Sequence, residues 1–472
     1  MRENGARAVR LIAEQEYVST LQGQHMLFLL VDLLSRQFGV VGHIHLDVAN
    51  VPTHEPYRQM GGDVAGAALN IVASNSQGRI EASRGKGQDV ACTVSVGFAT
   101  GFQDEVVTYG WSDGWNVYVG RNVLQVPYTN GSIPLGPYFG ACVLASEVFK
   151  RIGCLNERFG KFAYTFYYSL WTGQEYSSLD DMPRGQALSK VELPELVIVG
   201  LGAVGQAVSL VLGMMADILT IPPIILIDGD HYDSTNHNRC VLGDGKDVKQ
   251  KTKKVQIAER FLMSRDIVVR TYDGTWEKFV FESPDRNTDF QYEWVLSCVD
   301  NNVARHSIQQ LWPHFILGGS TVNMTSNVTL YERGSGFECM KCYNQPEENP
   351  ESPEELRNAL LQKDEEQFLR LCQKAGADPT LVMDYLKTAQ CGSLGEAEIR
   401  KFESTTIEPS VGFVSVAAGV LVVSQLLRCL TSGVNEAFPN AHNLYFSLLK
   451  LGHTSYPALA NPECDCRSQY FQ

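Results

Sequence analysis

The chain has 472 residues, of which 44% are hydrophobic and 19% are charged, and its formal net charge is −14 at pH 7. This length allows two or three domains, each with its own core, and the composition is ordinary for a globular protein. The negative charge argues against a nucleic-acid partner, because a phosphate backbone is bound by basic surfaces.

Two apolar windows, residues 26–34 and 413–427, are the candidates for a membrane span. Both are shorter than the ~20 residues that a helix needs to cross a bilayer, so no span is predicted. Residues 1–16 are polar and mixed in charge, which is not the pattern of a signal peptide. We therefore expect a cytoplasmic protein, in which most of the 12 cysteines are reduced core residues.

The first 185 residues alternate between helical and strand patterns, which is typical of a sheet flanked by helices. The predicted helices cover residues 21–38, 67–74 and 136–152, and the predicted strands cover 41–48, 89–97 and 115–120. No predicted strand here ends in a glycine turn with an acidic residue about 20 positions later, as a dinucleotide site requires. If this half has a nucleotide-binding fold, it has lost the nucleotide chemistry.

Residues 177–194 are polar and end in a proline, so they are predicted to link two halves. The second half begins as a βαβ series, which predicts a mostly parallel sheet. Its predicted strands cover residues 196–199, 224–227, 267–272, 293–298, 315–318 and 328–333, and its predicted helices cover 203–215, 247–263 and 303–312.

The rest of the chain is predicted to be mainly helical. Residues 344–355 are acidic and proline-rich, as exposed segments are. Helices are predicted at residues 353–363, 365–374, 381–389 and 413–430, and a last strand at 443–451. The predicted domains are 1–185, 186–343, a helical insertion at 344–405, and 406–472, which completes the second domain.

The most informative stretch is a glycine turn between a strand and a helix. Gly200, Gly202 and Gly205 follow the strand 196–199, and Asp228 ends the next strand. Such glycines let a phosphate approach the backbone at a helix N-terminus, while the acid accepts hydrogen bonds from ribose hydroxyls. Many dehydrogenases share this pattern, so it alone does not decide the reaction.

Charged residues after the turn favour nucleotidyl transfer over hydride transfer. Asn236 and Arg239 follow Asp228, a cluster of lysines occupies positions 249–254, and Asp300 ends a later strand. An arginine and a lysine would neutralise the β- and γ-phosphates, and Asp300 would hold Mg²⁺ through an oxygen ligand. Hydride transfer needs none of these groups.

The motifs GLGAVG, IDGDHYDSTNHNR, KTKKVQIA and SCVDNNVAR, taken in order, resemble the ThiF/MoeB and ubiquitin-activating enzyme superfamily. The resemblance runs from about residue 192 to the C-terminus. Ala203 departs from it, standing where the family usually has a second adjacent glycine. The family's lysine is best matched by Lys254, with Lys253 as the alternative, because the usual preceding glycine is missing. The implied nucleotide-binding residues are Gly200, Gly202, Ala203, Gly205, Asp228, Asn236, Arg239, Lys254, Asp300 and Asn301.

Two close pairs of cysteines, Cys339 with Cys342 and Cys464 with Cys466, suit a tetrahedral zinc ion. Their distance in sequence matters little, because ligands need to be close only in space. The alternative is two unrelated pairs of thiols. In the family a structural zinc often ties these regions together, and it has no catalytic role.

Cys391 lies in a polar loop, TAQCGSLGE, where a thiolate would be accessible as a nucleophile. Ubiquitin-activating enzymes carry a thioester-forming cysteine between the first zinc pair and the last helix. Cys372, within the predicted helix 365–374, is the alternative.

The resemblance implies two steps: ATP-dependent adenylation of the C-terminus of a ubiquitin-like protein, then a thioester on Cys391 for transfer to a carrier enzyme or target. Catalysis rests on Arg239 and Lys254 with ATP, Mg²⁺ and structural Zn²⁺. The alternative is a sulfur-carrier adenylyltransferase of the ThiF/MoeB type, which is usually about half this length.

The implied fold is α/β: two Rossmann-like adenylation domains in one chain, inactive first and active second, with a helical cysteine-bearing insertion. The arrangement is similar to the activating enzymes of bacterial Bil-type conjugation operons linked to phage defence. Family members also form homodimers. In the family the partner's N-terminal helix supplies an arginine to the ATP phosphates, for which Arg7 or Arg10 is the candidate.

Overall fold

The computed structural model of the chain describes residues 7–101, 106–153, 160–189, 191–282, 292–322, 324–344, 365–375, 378–380, 411–438 and 442–467. Within them, strands and helices follow one another in two successive series, and each series forms one large sheet.

The first series forms an eight-stranded sheet with the order β3-β2-β1-β4-β5-β6-β7-β8. Its strands are β1 (Arg7–Ala13), β2 (Val41–Val48), β3 (Glu81–Arg84), β4 (Cys92–Val96), β5 (Val107–Ser112), β6 (Asn116–Gly120), β7 (Thr165–Ser169) and β8 (Gln174–Tyr176). Its helices are α1 (Gln15–Val18), α2 (Leu21–Ser35), α3 (Val64–Ser76) and α4 (Leu135–Ile152).

The second series forms another eight-stranded sheet, with the order β13-β12-β10-β14-β15-β16-β17-β18. Its strands, with the separate pair β9 and β11, are β9 (Val191–Glu192), β10 (Leu196–Val199), β11 (Leu219–Thr220), β12 (Ile224–Ile227), β13 (Val269–Tyr272), β14 (Trp294–Ser297), β15 (Phe315–Val322), β16 (Thr325–Glu332), β17 (Asn443–Ser447) and β18 (Gly452–Tyr456). Its helices are α5 (Ala203–Gly213), α6 (Gly245–Gln250), α7 (Lys254–Met263), α8 (Trp276–Glu282), α9 (Asn302–Gln310), α10 (Met340–Tyr343), α11 (Glu365–Ala375), α12 (Gly412–Ser432) and α13 (Val434–Ala437).

The two sheets have the same topology. In each sheet, the first five strands of the order pair in parallel with one another. The remaining three strands are antiparallel in both sheets. Helices α4 and α12 occupy the same place in the two series, before the seventh strand of the order. The chain therefore contains two copies of one α/β fold, as predicted.

The two copies pack on each other through these equivalent helices. Helix α12 contacts α4 of the first copy and α5 of its own copy. A Cβ on Gly419 of α12 would lie 2.5 Å from the Cβ of Ala207 in α5, so glycine permits this close approach. Buried side chains of both copies belong to one continuous core.

Helix α12 corrects an expectation about length. Its 21 residues make it long and apolar enough to cross a membrane by composition, whereas the sequence window was judged too short. In the fold, 94% of its most apolar window is buried inside the protein, which accounts for its apolar character. It is the only helix among the described residues that meets this criterion.

The basic segment predicted as one helix over residues 247–263 is two helices, so this prediction was wrong. Helix α6 ends where Lys251 adopts a left-handed conformation with φ of +50°. Helix α7 begins at Lys254. The break separates Lys254 from the more exposed lysines of the cluster.

Arg7 and Arg10, the candidates for the arginine that the family supplies from an N-terminal helix, both lie on strand β1. The Arg10 guanidinium is 3% exposed and forms an ion pair with Asp47 of β2. Arg10 is therefore held within the first sheet, and neither arginine stands on a helix.

Helix α11 confirms the helix predicted at residues 365–374. The helices predicted at 353–363 and 381–389 lie outside the described residues. The three domain boundaries remain predictions, although the last strand of the first sheet ends at Tyr176 and the first strand of the second begins at Leu196.

Candidate active site

The glycine turn joins β10 to α5 and needs glycine at two positions. Gly200 has a φ of +86°, and a Cβ on it would lie 2.9 Å from the carbonyl of Cys298. A Cβ on Gly205 would lie 2.0 Å from the carbonyl oxygen of Gly200. Gly202 is different: a Cβ there would meet no atom within 4 Å.

Open space at Gly202 lies beside the N-terminus of α5, where Gly202 is the capping position and Ala203 is the first helical residue. No side chain caps this end by a hydrogen bond. Backbone N–H groups at an uncapped helix start and its positive dipole end suit a phosphate. The turn therefore fits the triphosphate chain of ATP.

Asp228 lies directly after β12 and connects that strand to the glycine turn. It is only 9% exposed. Its Oδ2 accepts the N–H of Leu201 at 2.6 Å, and its Oδ1 accepts the N–H of Asp230 at 2.8 Å. Burial raises the pKa of Asp228, although Lys254 and these N–H groups oppose the shift. Each carboxylate oxygen keeps acceptor capacity for a ribose hydroxyl.

Lys254 is the lysine that faces this carboxylate. Its Nζ donates to Asp230 Oδ2 at 2.7 Å, and its side chain is 11% exposed. Burial disfavours the charged ammonium, but Asp228 and Asp230 outweigh it and raise the pKa of Lys254. Asp230 was not singled out from sequence, although it stands two residues from Asp228 in the same strand-end motif.

Lys253 occupies a different environment. Its Nζ donates to the carbonyl of Gly229 at 3.0 Å and pairs with the half-exposed Asp273 at 3.0 Å. Lys254 is therefore the lysine whose charge acts on the buried Asp228. Its catalytic role remains a prediction.

Arg239 and Asn236 lie in the loop after Asp228. Asn236 is buried, and its Oδ1 accepts the N–H of Asp233 at 3.1 Å, which shapes the loop. Arg239 is half-buried and donates to the carbonyl of Thr235 and to Asn238 Oδ1. Among the described residues, no carboxylate forms a salt bridge with Arg239. Its charge is thus available to a phosphate.

Asp300 and Asn301 lie after β14, the neighbour of β10 on the side opposite β12. Both are exposed. Asn301 caps α9 by accepting the N–H of Ala304 at 2.8 Å. Arg305 donates to the carbonyl of Val299 at 3.1 Å, which fixes the loop before the helix. An exposed carboxylate at this edge fits an Mg²⁺ ligand.

The three strand ends meet because β12, β10 and β14 are adjacent and parallel. The N–H of Gly200 donates to Ile227 at 2.9 Å, and the N–H of Cys298 donates to Val199 at 2.8 Å. Asp228, the glycine turn and Asp300 therefore share one edge of the sheet, where ligands of doubly wound α/β folds bind.

The first copy lacks these groups at its corresponding edge. Strand β1 is followed by Glu14 and Gln15, not by a glycine turn, and β2 is followed by Ala49. The Glu14 carboxylate accepts hydrogen bonds from the Phe98 N–H and the Tyr128 hydroxyl. A carboxylate in this place would repel a phosphate.

The four zinc-ligand candidates, Cys339, Cys342, Cys464 and Cys466, come together, with all sulfur atoms within 4.8 Å of one another. Cys339 and Cys464 are 3.6 Å apart at Sγ. A tetrahedral Zn–S₄ centre with Zn–S of about 2.3 Å places its sulfurs roughly 3.8 Å apart, so the cluster fits zinc. The pKa of Cys342 falls to about 5 because Cys339 donates a hydrogen bond to it.

The two thioester candidates have different outcomes. Cys391 lies outside the described residues. Cys372 lies on α11 and is 1% exposed, and burial raises its pKa to about 11. A buried protonated thiol is a poor nucleophile, so Cys372 is the weaker candidate.

The model of the ThiF family matches residues 178–468. The chain belongs to the ThiF family. This confirms the resemblance to the ThiF/MoeB and ubiquitin-activating superfamily, and with the two Rossmann-like sheets it confirms the fold class.

Solved structures that are similar to part of this chain include E. coli MccB, and this chain covers less than two thirds of the first of these structures. The MccB structure with ATP has a TM-score of 0.38 and 18% identity, covering 58% of this chain and 66% of that chain. The MccB structure with MccA-N7isoASN has a TM-score of 0.37 and 16% identity, covering 58% of this chain and 67% of that chain. No curated protein matches the sequence.

Proposed function

We propose that this enzyme activates the C-terminus of a small ubiquitin-like protein, in a conjugation system of the bacterial Bil type. The observation that carries the proposal is the shared sheet edge, which gathers a phosphate-fitting turn, the buried Asp228 beside the Asp230–Lys254 ion pair, and Asp300. This set suits adenylyl transfer and is unneeded for hydride transfer.

In the first step, a carboxylate oxygen of the partner's C-terminus attacks the α-phosphorus of ATP. The bond between the α-phosphorus and its bridging oxygen to the β-phosphate breaks, and pyrophosphate leaves with the electron pair. No general base is needed, because a C-terminal carboxyl with a pKa of about 3.5 is already ionised at neutral pH. Catalysis is positioning and charge stabilisation.

The residues divide this work. Gly200, Gly202 and the start of α5 hold the phosphates, and Asp228 accepts from the ribose. Arg239 and Lys254 stabilise charge that develops on the leaving pyrophosphate. Asp300 would hold Mg²⁺, which neutralises phosphate charge when bound.

In the second step, the Cys391 thiolate attacks the acyl carbon of the adenylate. The acyl–oxygen bond to AMP breaks, AMP leaves, and a thioester forms for transfer to a carrier enzyme. A sulfur-carrier adenylyltransferase would complete the first step without needing this cysteine. The fused second copy of the fold favours a conjugation enzyme, because it supplies within one chain the two halves that such enzymes assemble.

The first test is ATP–pyrophosphate exchange with purified ubiquitin-like proteins that have a free C-terminus. We expect exchange only with the cognate partner, and loss of at least 100-fold in Asp300→Ala, as for removal of one transition-state contact. Absence of exchange with every candidate partner, together with NAD binding, would show that the protein is a dehydrogenase instead.

The second test is a thiol-sensitive adduct between the enzyme and its partner on non-reducing gels. We expect Cys391→Ala to abolish the adduct and keep the exchange. Cys372→Ala is the matched control and should form the adduct. Exchange without any adduct in the wild type would support the sulfur-carrier alternative.

A further inference from the structure

Arg36 connects the two copies of the fold at the loop that carries Arg239. It follows α2 of the first copy, and its side chain is only 2% exposed. The guanidinium donates to four backbone carbonyls of the second copy: those of His237 (3.0 Å), Cys240 (3.1 Å), Val241 (3.3 Å) and Gly243 (3.1 Å).

The first copy anchors this guanidinium from the other side. Asp32 accepts from Nε at 2.8 Å and from Nη2 at 3.3 Å, and Asn75 Oδ1 accepts at 3.1 Å. Burial opposes the charge on Arg36, but Asp32 outweighs it and raises the pKa. The loop carbonyls that face Arg36 are therefore bound by a guanidinium that stays charged and is anchored to the first copy.

The carbonyls that Arg36 binds lie on both sides of Arg239 in the sequence. One nitrogen, Nη1, binds the carbonyls of His237 and Cys240, which flank residues 238 and 239. A planar guanidinium can donate hydrogen bonds to several carbonyls and a carboxylate at once, whereas a lysine ammonium cannot.

We propose that Arg36 is a positioning residue through which the first copy aims Arg239 at the β- and γ-phosphates of ATP. This rests on the proposed function. It also gives the first copy a task in catalysis: it holds no nucleotide, but it fixes the loop that binds one.

The test compares nucleotides with and without those phosphates, by calorimetric titration of the full chain. In Arg36→Lys we expect ATP affinity to fall about tenfold, the loss of one charge-assisted contact, while AMP affinity stays within about twofold. General damage to the fold would weaken both nucleotides. In ATP–pyrophosphate exchange assays, Arg36→Lys should raise the Michaelis constant for ATP by a larger factor than it lowers kcat.

A double-mutant cycle with Arg239→Ala identifies the route. If Arg36 acts through Arg239, Arg36→Lys has no further effect on ATP affinity once Arg239 is removed. Additive losses would overturn the proposal. If the wild type does not bind ATP, both the proposed role of Arg36 and the proposed function are overturned. Additive losses overturn only the role of Arg36 and leave the proposed function intact.

Arg428 of α12 provides a matched control. It is 5% exposed and also crosses between the copies, donating to the carbonyl of Thr172 at 3.3 Å. Arg428→Lys should leave the ratio of ATP to AMP affinity unchanged. If Arg36→Lys does not fold, Asp32→Asn keeps the arginine and removes its charged anchor. It should weaken ATP binding about threefold, again only when Arg239 is present.

Discussion

Two adjacent lysines face different acids, and this separates their expected roles. Lys254 donates to the exposed Asp230, and its charge also acts on the buried Asp228, whereas Lys253 contacts the half-exposed Asp273. We expect Lys254→Met to lower ATP–pyrophosphate exchange by at least about 100-fold, since the proposed function assigns this buried cation to the phosphates. Lys253→Met, the matched control, should stay within about threefold.

The same substitution should affect folding. Without Lys254 the buried Asp228 loses its main cationic neighbour, and an unpaired buried charge costs several kcal/mol, roughly 3 for a group this enclosed. Urea unfolding of the apo-protein measures it. Equal losses of stability and exchange in both lysine variants would assign the two residues the same role and refute the distinction.

His237 gives a prediction for pH. Its Nε2 donates to the carbonyl of Asn75 at 2.6 Å, so Nδ1 accepts from the Tyr232 hydroxyl and the ring is neutral. Burial lowers its pKa to about 4, from about 6.5 in the unfolded chain. The unfolded chain therefore binds the proton more tightly. Stability is fully present above pH 6.5 and is lost as pH falls towards 4.

Between pH 7 and pH 5 this histidine should contribute a loss of about 2 kcal/mol in the free energy of unfolding. His237→Gln should be less stable at pH 7 but should lose less stability on acidification. His231→Gln, an exposed neighbour, should follow the wild type. Parallel pH profiles for all three proteins in urea unfolding would contradict the assignment.

At the scale of elements, sequence predicted the second copy better than the first. Apolar runs bounded by Gly200 and Asp228 define β10 and β12 with no error, because buried parallel strands read as continuous apolar segments. Strand β1 was missed, since Arg7 and Arg10 interrupt its apolar pattern. Arg36 has no local signal, because four of its partners are backbone carbonyls more than 200 residues away.

Helix α9 links the four-cysteine centre to Asp300, which immediately precedes the helix cap. The N–H of Met340, between the cysteines of the first pair, donates to Gln309 Oε1 at 2.9 Å. Arg305 donates to Asn344 Oδ1 at 3.2 Å, two residues past Cys342. The centre thus holds the helix at two points.

Removing zinc should therefore lower activity as well as stability. In the double variant Cys464→Ser, Cys466→Ser we expect zinc content to fall to near zero and exchange to fall by roughly 10- to 100-fold, because Asp300 is displaced. Gln309→Leu should keep zinc and still lose exchange. Cys429→Ser, a buried thiol elsewhere, should keep both. Full exchange in folded zinc-free protein would exclude the coupling.

At the scale of the whole molecule, one chain carries two sheets of the same topology and of unequal chemistry. The equivalent helices α4 and α12 pack together, and Arg36 and Arg428 cross between the copies. The first copy keeps the fold and these contacts, while its sheet edge has exchanged the glycine turn for Glu14. Selection for packing preserves a sheet without preserving its phosphate site, because different residues carry the two properties.

This asymmetry predicts that one chain binds one ATP. The Glu14 carboxylate occupies the loop after β1, and there is no acid after β2 to receive a ribose. Equilibrium dialysis should give one nucleotide per chain, and Asp228→Ala should remove it. Asp47→Ala, an acid at the end of β2 paired with Arg10, should leave the count at one. A second nucleotide, retained in Asp228→Ala, would show that the first copy binds ATP despite its carboxylate.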